Sequence, residues 1–331
     1  MEQSQLLALL EGKGDQFVSG EEISRQLGVS RTAVWKQIRK LEAEGFEIEA
    51  VPRMGYRLVG RPSRLNAAEL LSRLETETFG RKLHLRDTVT STQDVLRDLA
   101  EAGAPEGTLV VAERQESGRG RMGRSWVSPP GRGVSMSLLL RPEVPLQLAP
   151  QLTLLAAVAL CRSLSRETGL SIGIKWPNDL LVDGRKISGI LLESATEDER
   201  LRYVAVGLGI AVNLVPEDYP EELLTRAVSL KIASGRTYDR AALIAAVLLE
   251  FEQLYAVYKE RGFEPIRILW ETYSVTLGRN VSLNTAQGFF EGVPRGLDEN
   301  GGLRVELPNG GMRTIYSAEI GDAAPLPGAS G

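Results

Sequence analysis

Gly118-Arg119-Gly120-Arg121-Met122-Gly123-Arg124 sets three glycines and three guanidinium groups within seven residues. Glycine lets backbone amides approach an anion closely, and the planar guanidinium fork matches the oxygens of a carboxylate or phosphate. The segment also fits the spacing Gly-x-Gly-x-x-Gly, but a dinucleotide turn must run from a strand straight into a helix. Here Arg124-Ser125-Trp126-Val127-Ser128-Pro129-Pro130 follows, which opens no helix. The segment reads as an anion clamp, the alternative being a solvated charged loop. His84 and Cys161 are the single histidine and cysteine of the 331 residues. That excludes histidine–cysteine zinc sites and Ser-His or Cys-His nucleophilic machinery, and leaves arginine, lysine, carboxylates or a bound cation to do the chemistry. Cys161 sits in an apolar run and is expected to be a buried, inert thiol.

Three other segments carry polar residues at element ends. Ser91-Thr92-Gln93 precedes a helical stretch and suits an N-cap. Lys175-Trp176-Pro177-Asn178-Asp179 ends an apolar strand, and Gly184-Arg185-Lys186-Ile187-Ser188-Gly189 puts a lysine at the start of the next. Glu113-Arg114-Gln115 ends a further strand and leads into the Arg/Gly segment.

The elements that must position these residues form an α+β multidomain chain. Residues 1–62 predict a winged helix-turn-helix. Ser19 with Glu22 caps a helix that Gly28 ends, and Ser30 caps a second helix from Arg31 to about Glu44. Val34, Ile38 and Leu41 define its buried face, opposite Arg31, Thr32, Trp35, Lys36 and Arg39. Phe46, Ile48 and Ala50 alternate as one strand of a wing that returns through Tyr56-Arg57-Leu58, with Arg53 and Arg57 placed to meet phosphates. The alternative is an αα-hairpin used for packing or dimerisation. Eight basic side chains face nine acidic ones in residues 1–60, so net charge does not favour DNA. Their distribution does, because Arg31, Lys36, Arg39 and Lys40 share the second helix. Arg61-Pro62-Ser63-Arg64 reads as a linker.

Residues 63–272 alternate strands (108–113, 134–140, 172–176, 186–193, 203–214) with helices (92–102, 148–168, 239–260, 264–273). Asp183-Gly184 marks a two-residue hairpin, which predicts a mixed sheet with helices on one face. Residues 273–322 are short strands separated by Asn300-Gly301-Gly302 and Asn309-Gly310-Gly311 turns, a pattern that predicts a small SH3-like β-barrel. The tail 323–331 has a disordered composition. The longest apolar run, near Leu152 to Leu160, is short for a membrane span, and the N-terminus lacks a signal-peptide pattern. A cytoplasmic protein with no membrane partner is expected. The net charge of −4 supplies no global field for nucleic acid.

Taken together and in this order, Ser91-Thr92, the Arg/Gly segment with Trp126, Lys-Trp-Pro-Asn-Asp, Gly-Arg-Lys-x-x-Gly and Gly207-Leu208-Gly209-Ile210 resemble the biotin protein ligases. The resemblance is to the bifunctional kind that doubles as the biotin operon repressor, and it covers nearly the whole chain. It implies a class II synthetase-like catalytic domain that makes biotinyl-5′-AMP from biotin and ATP, with Mg²⁺ accompanying ATP. Biotin then passes to a lysine of the biotin carboxyl carrier protein of acetyl-CoA carboxylase. Carried over by matching position, the biotin-binding set is Ser91, Thr92, Gln93, Gln115, Arg119, Gly120, Arg121, Lys186, Gly189 and Gly207. The ATP-binding set is Arg121, Arg124, Trp126, Asn178 and Lys186, and the catalytic set is Arg119, Arg121 and Lys186. A metal ligand is not assigned by the motifs, Asp179 being the one candidate carboxylate among them. The resemblance further implies a homodimer when adenylate-bound and an operator-DNA partner read by Arg31, Thr32, Trp35, Lys36, Arg39 and Arg57.

One departure stands out. The family commonly has Asn where this chain has Ala211, with Asn213 two positions on, so an adenine contact by Asn213 would need a local shift. Two other readings stay open: a lipoate-type acyl-adenylate ligase of the same superfamily, and a ligand-sensing transcription factor without turnover.

Overall fold

A computed structural model describes residues 2–14, 16–43, 46–60, 64–127, 129–197 and 200–322. Most of the expected linker (61–63) and the tail 323–331 lie outside the described residues.

The N-terminal module comprises α1 (Glu2–Gly12), α2 (Gly20–Leu27), α3 (Arg31–Ala43) and the antiparallel wing β1 (Glu47–Val51) and β2 (Gly55–Gly60). Ser19 Oγ accepts the Glu22 amide at 3.1 Å, and Gly28, at φ 66°, closes α2 with its own N–H. Ser30 Oγ caps α3 by accepting the Ala33 amide at 3.2 Å. Leu6, Leu10, Ile23, Val34, Ile38, Leu41 and Phe46 form the core of this module. The wing departs from the expected alternation at one place. Phe46 is buried and Ile48 half-buried, but Ala50 is exposed, because the two-stranded wing runs past the helices that cover its base. Gly55 has φ 112°, and a Cβ there would stand 2.1 Å from the Val18 carbonyl oxygen. Only glycine allows Val18 and Tyr56 to exchange their two backbone hydrogen bonds.

The central domain contains α4 (Ala67–Arg73), β3 (Leu83–Val89), α5 (Thr92–Glu101), β4 (Leu109–Gln115), β5 (Val134–Leu140) and α6 (Ala149–Thr168). It continues with β6 (Gly173–Lys175), β7 (Asp179–Val182), β8 (Arg185–Glu197), β9 (Arg200–Ile210), α7 (Leu230–Ser234), α8 (Arg240–Arg261) and α9 (Glu264–Tyr273). The seven strands run β3-β4-β5-β9-β8-β7-β6, with β3-β4 parallel and the other pairs antiparallel. At the β7–β8 turn both Asp183 (φ 49°) and Gly184 (φ 75°) take positive φ, as a type I′ turn requires.

The sheet corrects the expectation of helices on one face. α6 and α8 cover one face through the main core, while Leu96 and Ala100 of α5 pack on the other against Val110, Leu139, Tyr203 and Ala205. The strands are apolar on both faces only at that end, so α5 covers part of the second face. Trp126 lies over part of the rest, at Gly189 and Gly209. Strand β3 and helices α4 and α7 add to the expected elements. Leu146–Thr168 and Arg240–Arg261 are, contrary to expectation, long and apolar enough for a membrane span by length and composition. Their 72% and 61% burial inside the protein accounts for that composition as core packing.

The C-terminal barrel is β10 (Val281–Thr285), β11 (Gly288–Leu297), β12 (Leu303–Glu306), β13 (Met312–Ile315) and β14 (Glu319–Asp322), in the order β13-β12-β11-β10-β14. It joins the central domain through Gln151 Nε2 to the Glu299 carbonyl at 2.8 Å and the Leu297 amide to Glu271 at 2.9 Å.

Candidate active site

The part of the second sheet face that α5 leaves uncovered begins where α5 starts. Ser91 caps α5 by accepting the Gln93 amide at 3.3 Å. Gln115 Oε1 accepts from the Thr92 amide (2.9 Å) and hydroxyl (3.1 Å), and Thr92 and Ser137 hydroxyls meet at 2.7 Å. Gln93 Nε2 donates to the carbonyls of Leu191 (2.8 Å) and Ala205 (3.3 Å), which fixes the orientation of its amide. Gln93 Oε1 is thereby left as a buried acceptor without a donor among the described residues. Ser91, Thr92 and Gln93 are all at most 3% exposed. A Cβ on Gly207 would come 2.9 Å from Gln93 Nε2, so glycine leaves room for the Gln93 amide against the sheet. An uncharged polar cluster with a spare buried acceptor suits a neutral ligand group carrying N–H donors, since an unmet buried polar atom is costly.

The site's cations are each held by a partner. The Arg/Gly loop folds on itself: the Trp126 amide donates to Gly118 O at 2.8 Å and the Gly120 amide to Arg124 O at 2.7 Å. Arg119 makes a two-pronged bond to Asp94 (3.0 and 2.8 Å) and reaches Glu193 at 3.5 Å. The Arg119 fork holds the Asp94 carboxyl below the usual carboxylate range. Arg121 reaches Asn178 Oδ1 at 3.5 Å and donates to Ser317 of the barrel at 2.8 Å. Burial pulls its pKa down, as expected for a guanidinium withdrawn from water. Arg124 turns to Glu319 of β14. Lys186 pairs with Asp179 at 2.6 Å and sits 5.7 Å from the centre of the Trp126 ring. The indole lies along the glycines of β8 and β9, where a Cβ on Gly209 would be 2.5 Å from Trp126 Cε2 and one on Gly189 3.5 Å from Cζ3. Asn178 donates to the Ile190 carbonyl at 2.6 Å, tying the entry of β7 to β8 and aiming its Oδ1 at Arg121.

The structure therefore brings Ser91, Thr92, Gln93, Gln115 and Gly207 into one hydrogen-bonded cluster on the sheet face, and Trp126 and Lys186 together at Gly189. Gly120 sits in the hydrogen-bonded loop between Arg119 and Arg121. Sequence reasoning missed Asp94, Glu193, Ser317 and Glu319, the carboxylates and hydroxyl that meet the guanidiniums, because their distance along the chain gave no signal. Gly209 was visible as the second glycine of Gly-Leu-Gly-Ile. Asn213 is corrected: its amide is engaged with the Tyr238 N–H (2.9 Å) and C=O (2.8 Å), so it is structural and does not replace the missing Asn at 211. Cys161 is buried, and burial pushes its thiol up to about 12, consistent with an inert side chain. A cavity of about 210 Å³ lies beside Arg121 and Asn178, between Trp176, Leu154 and Tyr316. A larger cleft of about 840 Å³, along Tyr255, Tyr258 and the barrel turn at Glu299, shares no residue with the site.

In the N-terminal module Arg31, Thr32, Trp35, Lys36 and Arg39 are all exposed along α3. Arg57 instead pairs with Glu49 across the wing and lies 4.6 Å from the Phe17 ring centre.

Residues 85–211 match the biotin/lipoate A/B protein ligase family, residues 2–57 an HTH domain, and residues 276–320 the biotin protein ligase C terminal domain. The chain is 49% identical over 315 residues to the bifunctional ligase/repressor BirA of Bacillus subtilis, covering 95% of this chain and 97% of the relative. It is 30% identical over 320 residues to the protein of that name from Escherichia coli, covering 95% and 97%. Among solved structures, the biotin protein ligase of Aquifex aeolicus in complex with biotin and ATP superposes with a TM-score of 0.63 at 32% identity, covering 73% of this chain and 98% of that one. With all three regions matched and 49% identity across nearly the whole chain, the chain belongs to the bifunctional biotin ligase/repressor family.

Proposed function

We infer that this chain uses ATP to activate biotin as biotinyl-5′-AMP and transfers it to a lysine of a biotin carboxyl carrier protein, and that its winged helix makes it a biotin-responsive repressor. The observation that carries this reading is the spare buried acceptor of Gln93 within an uncharged polar cluster, in a site whose cations Lys186, Arg119 and Arg121 are each held by a polar or acidic partner. Biotin's ureido ring suits the cluster through Ser91, Thr92, Gln93 and Gln115, with the backbone of Gly189 and Gly207 alongside.

A biotin carboxylate, with a pKa near ~4.3 like that of glutamate, is ionised at pH 7 and needs no base. One of its oxygens attacks the α-phosphorus, and the bond to the pyrophosphate leaving group breaks. The barrier is the approach of two anions, so positioning and neutralisation supply the catalysis. Arg119 and Arg121 hold the carboxylate and α-phosphate, and Lys186 meets the same oxygens as a compact charge. Asp179, Asp94 and Glu193 neutralise these cations until substrate oxygens replace them. In the second step a carrier lysine amine attacks the acyl carbon, AMP leaves and the nitrogen gives up its proton. Arg124 faces the leaving phosphates, Trp126 stacks on adenine and Asn178 reads its edge.

Mg²⁺ characteristically binds one or two carboxylates plus substrate phosphates. Asp179, paired with Lys186, is the carboxylate that would help hold an ion bound with the triphosphate. When bound, the ion would neutralise the departing pyrophosphate. The protein is cytoplasmic in this reading, where its carrier and operator reside.

Incubation with ATP, biotin and a biotin carboxyl carrier domain should yield a biotinylated lysine detectable by mass spectrometry. Biotin binding without pyrophosphate release would instead indicate a sensor, and preference for lipoate a ligase of the sister specificity. Gly209→Ala should drive Trp126 off the sheet. If the indole stacks on adenine, ATP affinity should fall by the worth of one base stack, about 1–3 kcal/mol, while biotin affinity measured by calorimetry changes little. Ordering of the Arg/Gly loop by the adenylate completes a homodimer surface and presents two winged helices to a palindromic site. Sedimentation should show a monomer without adenylate and a dimer with it; a monomer in both states would rule this out.

A further inference from the structure

The buried carboxylate of Glu113, at the end of β4 and 4% exposed, ties together three parts of the chain that are distant in sequence. Its Oε1 accepts the backbone N–H of Leu65, just past the segment that leads out of the winged helix, and Arg240 Nη2 at 2.9 Å. Its Oε2 accepts the N–H of Gly131, which follows the Arg/Gly loop and Trp126, at 2.9 Å, and Arg240 Nη1 at 2.9 Å. Arg240, the first residue of α8, also donates to the Gly133 carbonyl at 3.0 Å. Asp239, the α8 N-cap, holds Arg73 of α4 at 2.7 Å, and Arg73 reaches Glu11 of α1 at 3.7 Å. Ala68 of α4 packs into the core of the winged helix.

We propose that Glu113 with Arg240 is a coupling pin, through which the state of the Arg/Gly loop is transmitted to the junction that holds the winged helix. A buried carboxylate that loses one N–H cannot recover it from water, so Gly131 and Leu65 do not shift independently. A lever anchored at Gly131 and Gly133 therefore pulls on Leu65 through one side chain, and on α4 through the N-terminus of α8. The inference deepens the ligase/repressor reading and rests on it: Glu113 is a positioning residue that links ligand capture to the DNA-binding module.

The test is hydrogen exchange on the full chain with and without biotinyl-5′-AMP, read at Leu65, at Gly131 and across residues 118–126. In the unaltered protein the adenylate should slow exchange at all three, with a change at Leu65 of ~10-fold, within the usual range of coupling between sites. In Glu113→Gln, slowing should persist at 118–126 and vanish at Leu65, with ligase turnover kept. A purely structural role for Glu113 would speed exchange throughout the domain, with and without adenylate. Protection of 118–126 in the unaltered protein with Leu65 unmoved, or an equal Leu65 response in Glu113→Gln, would overturn the inference while leaving the ligase reading intact. Absence of protection at 118–126 would overturn the site reading and the coupling together. The first comparison needs no variant, so a failure of Glu113→Gln to fold leaves the inference open to disproof.

Discussion

Lys186→Ala is expected to slow pyrophosphate release from biotin and ATP by roughly 10²–10³-fold, the typical loss when one preorganised donor to a developing charge is removed. The ammonium lies 2.6 Å from Asp179 and over the Trp126 ring. Its removal leaves the Asp179 carboxylate next to the incoming phosphates, adding repulsion to lost attraction. Lys186→Arg should recover only part of the rate, because a planar fork does not reproduce a compact ammonium charge. Biotin affinity should change far less than turnover, since the cluster at Ser91, Thr92 and Gln93 is untouched. Single-turnover measurements separate the two, and full activity in Lys186→Ala would remove the role assigned here.

Glu113→Ala is expected to cost about 3–5 kcal/mol of stability, the range for breaking a buried ion pair by deleting one partner. Arg240, 6% exposed, would lose its carboxylate partner, and the amides of Leu65 and Gly131 would lose their acceptor. Denaturant midpoints for the two proteins would measure this, and a difference under about 1 kcal/mol would contradict the burial argument. The same pair predicts a pH dependence. Burial by itself raises the Glu113 carboxyl, but the Arg240 fork and the two backbone N–H groups outweigh it and hold the group below the usual glutamate value. A carboxyl lowered on folding contributes in full above its unfolded pKa and loses that contribution as pH falls through the folded one. Stability should therefore be level near neutrality and drop below about pH 4, near the free glutamate value of ~4.3. Glu113→Ala should show a shallower drop.

Much of this was legible along the chain, for reasons that are local. A cap such as Ser19 or Ser30 acts within three residues, and Asp183-Gly184 specifies its hairpin because both positions require positive φ. The apolar strand Val134–Leu140 has the expected bounds because every residue in it is buried. The ligase motifs were readable because each is a short stretch at an element end. Strand β3 escaped because Leu83, His84, Leu85, Arg86, Asp87 and Thr88 make a weakly apolar sheet edge. The faces of the sheet also escaped, since a strand buried on both sides does not indicate which helix covers which side.

What the sequence determined by itself was the inventory: three modules, an uncharged polar stretch at 91–93, a run of guanidiniums in a glycine loop, and a lysine after a tight turn. Tertiary structure decided their partners. Arg119 meets Asp94 and Glu193, Arg121 reaches Ser317 nearly 200 positions away, and Asn213 spends its amide on Tyr238. Charge and hydrogen-bonding capacity are properties of a residue. Which group satisfies them depends on how the layers pack, and pairings across such separations follow only once β4, β8, α8 and the barrel have come together.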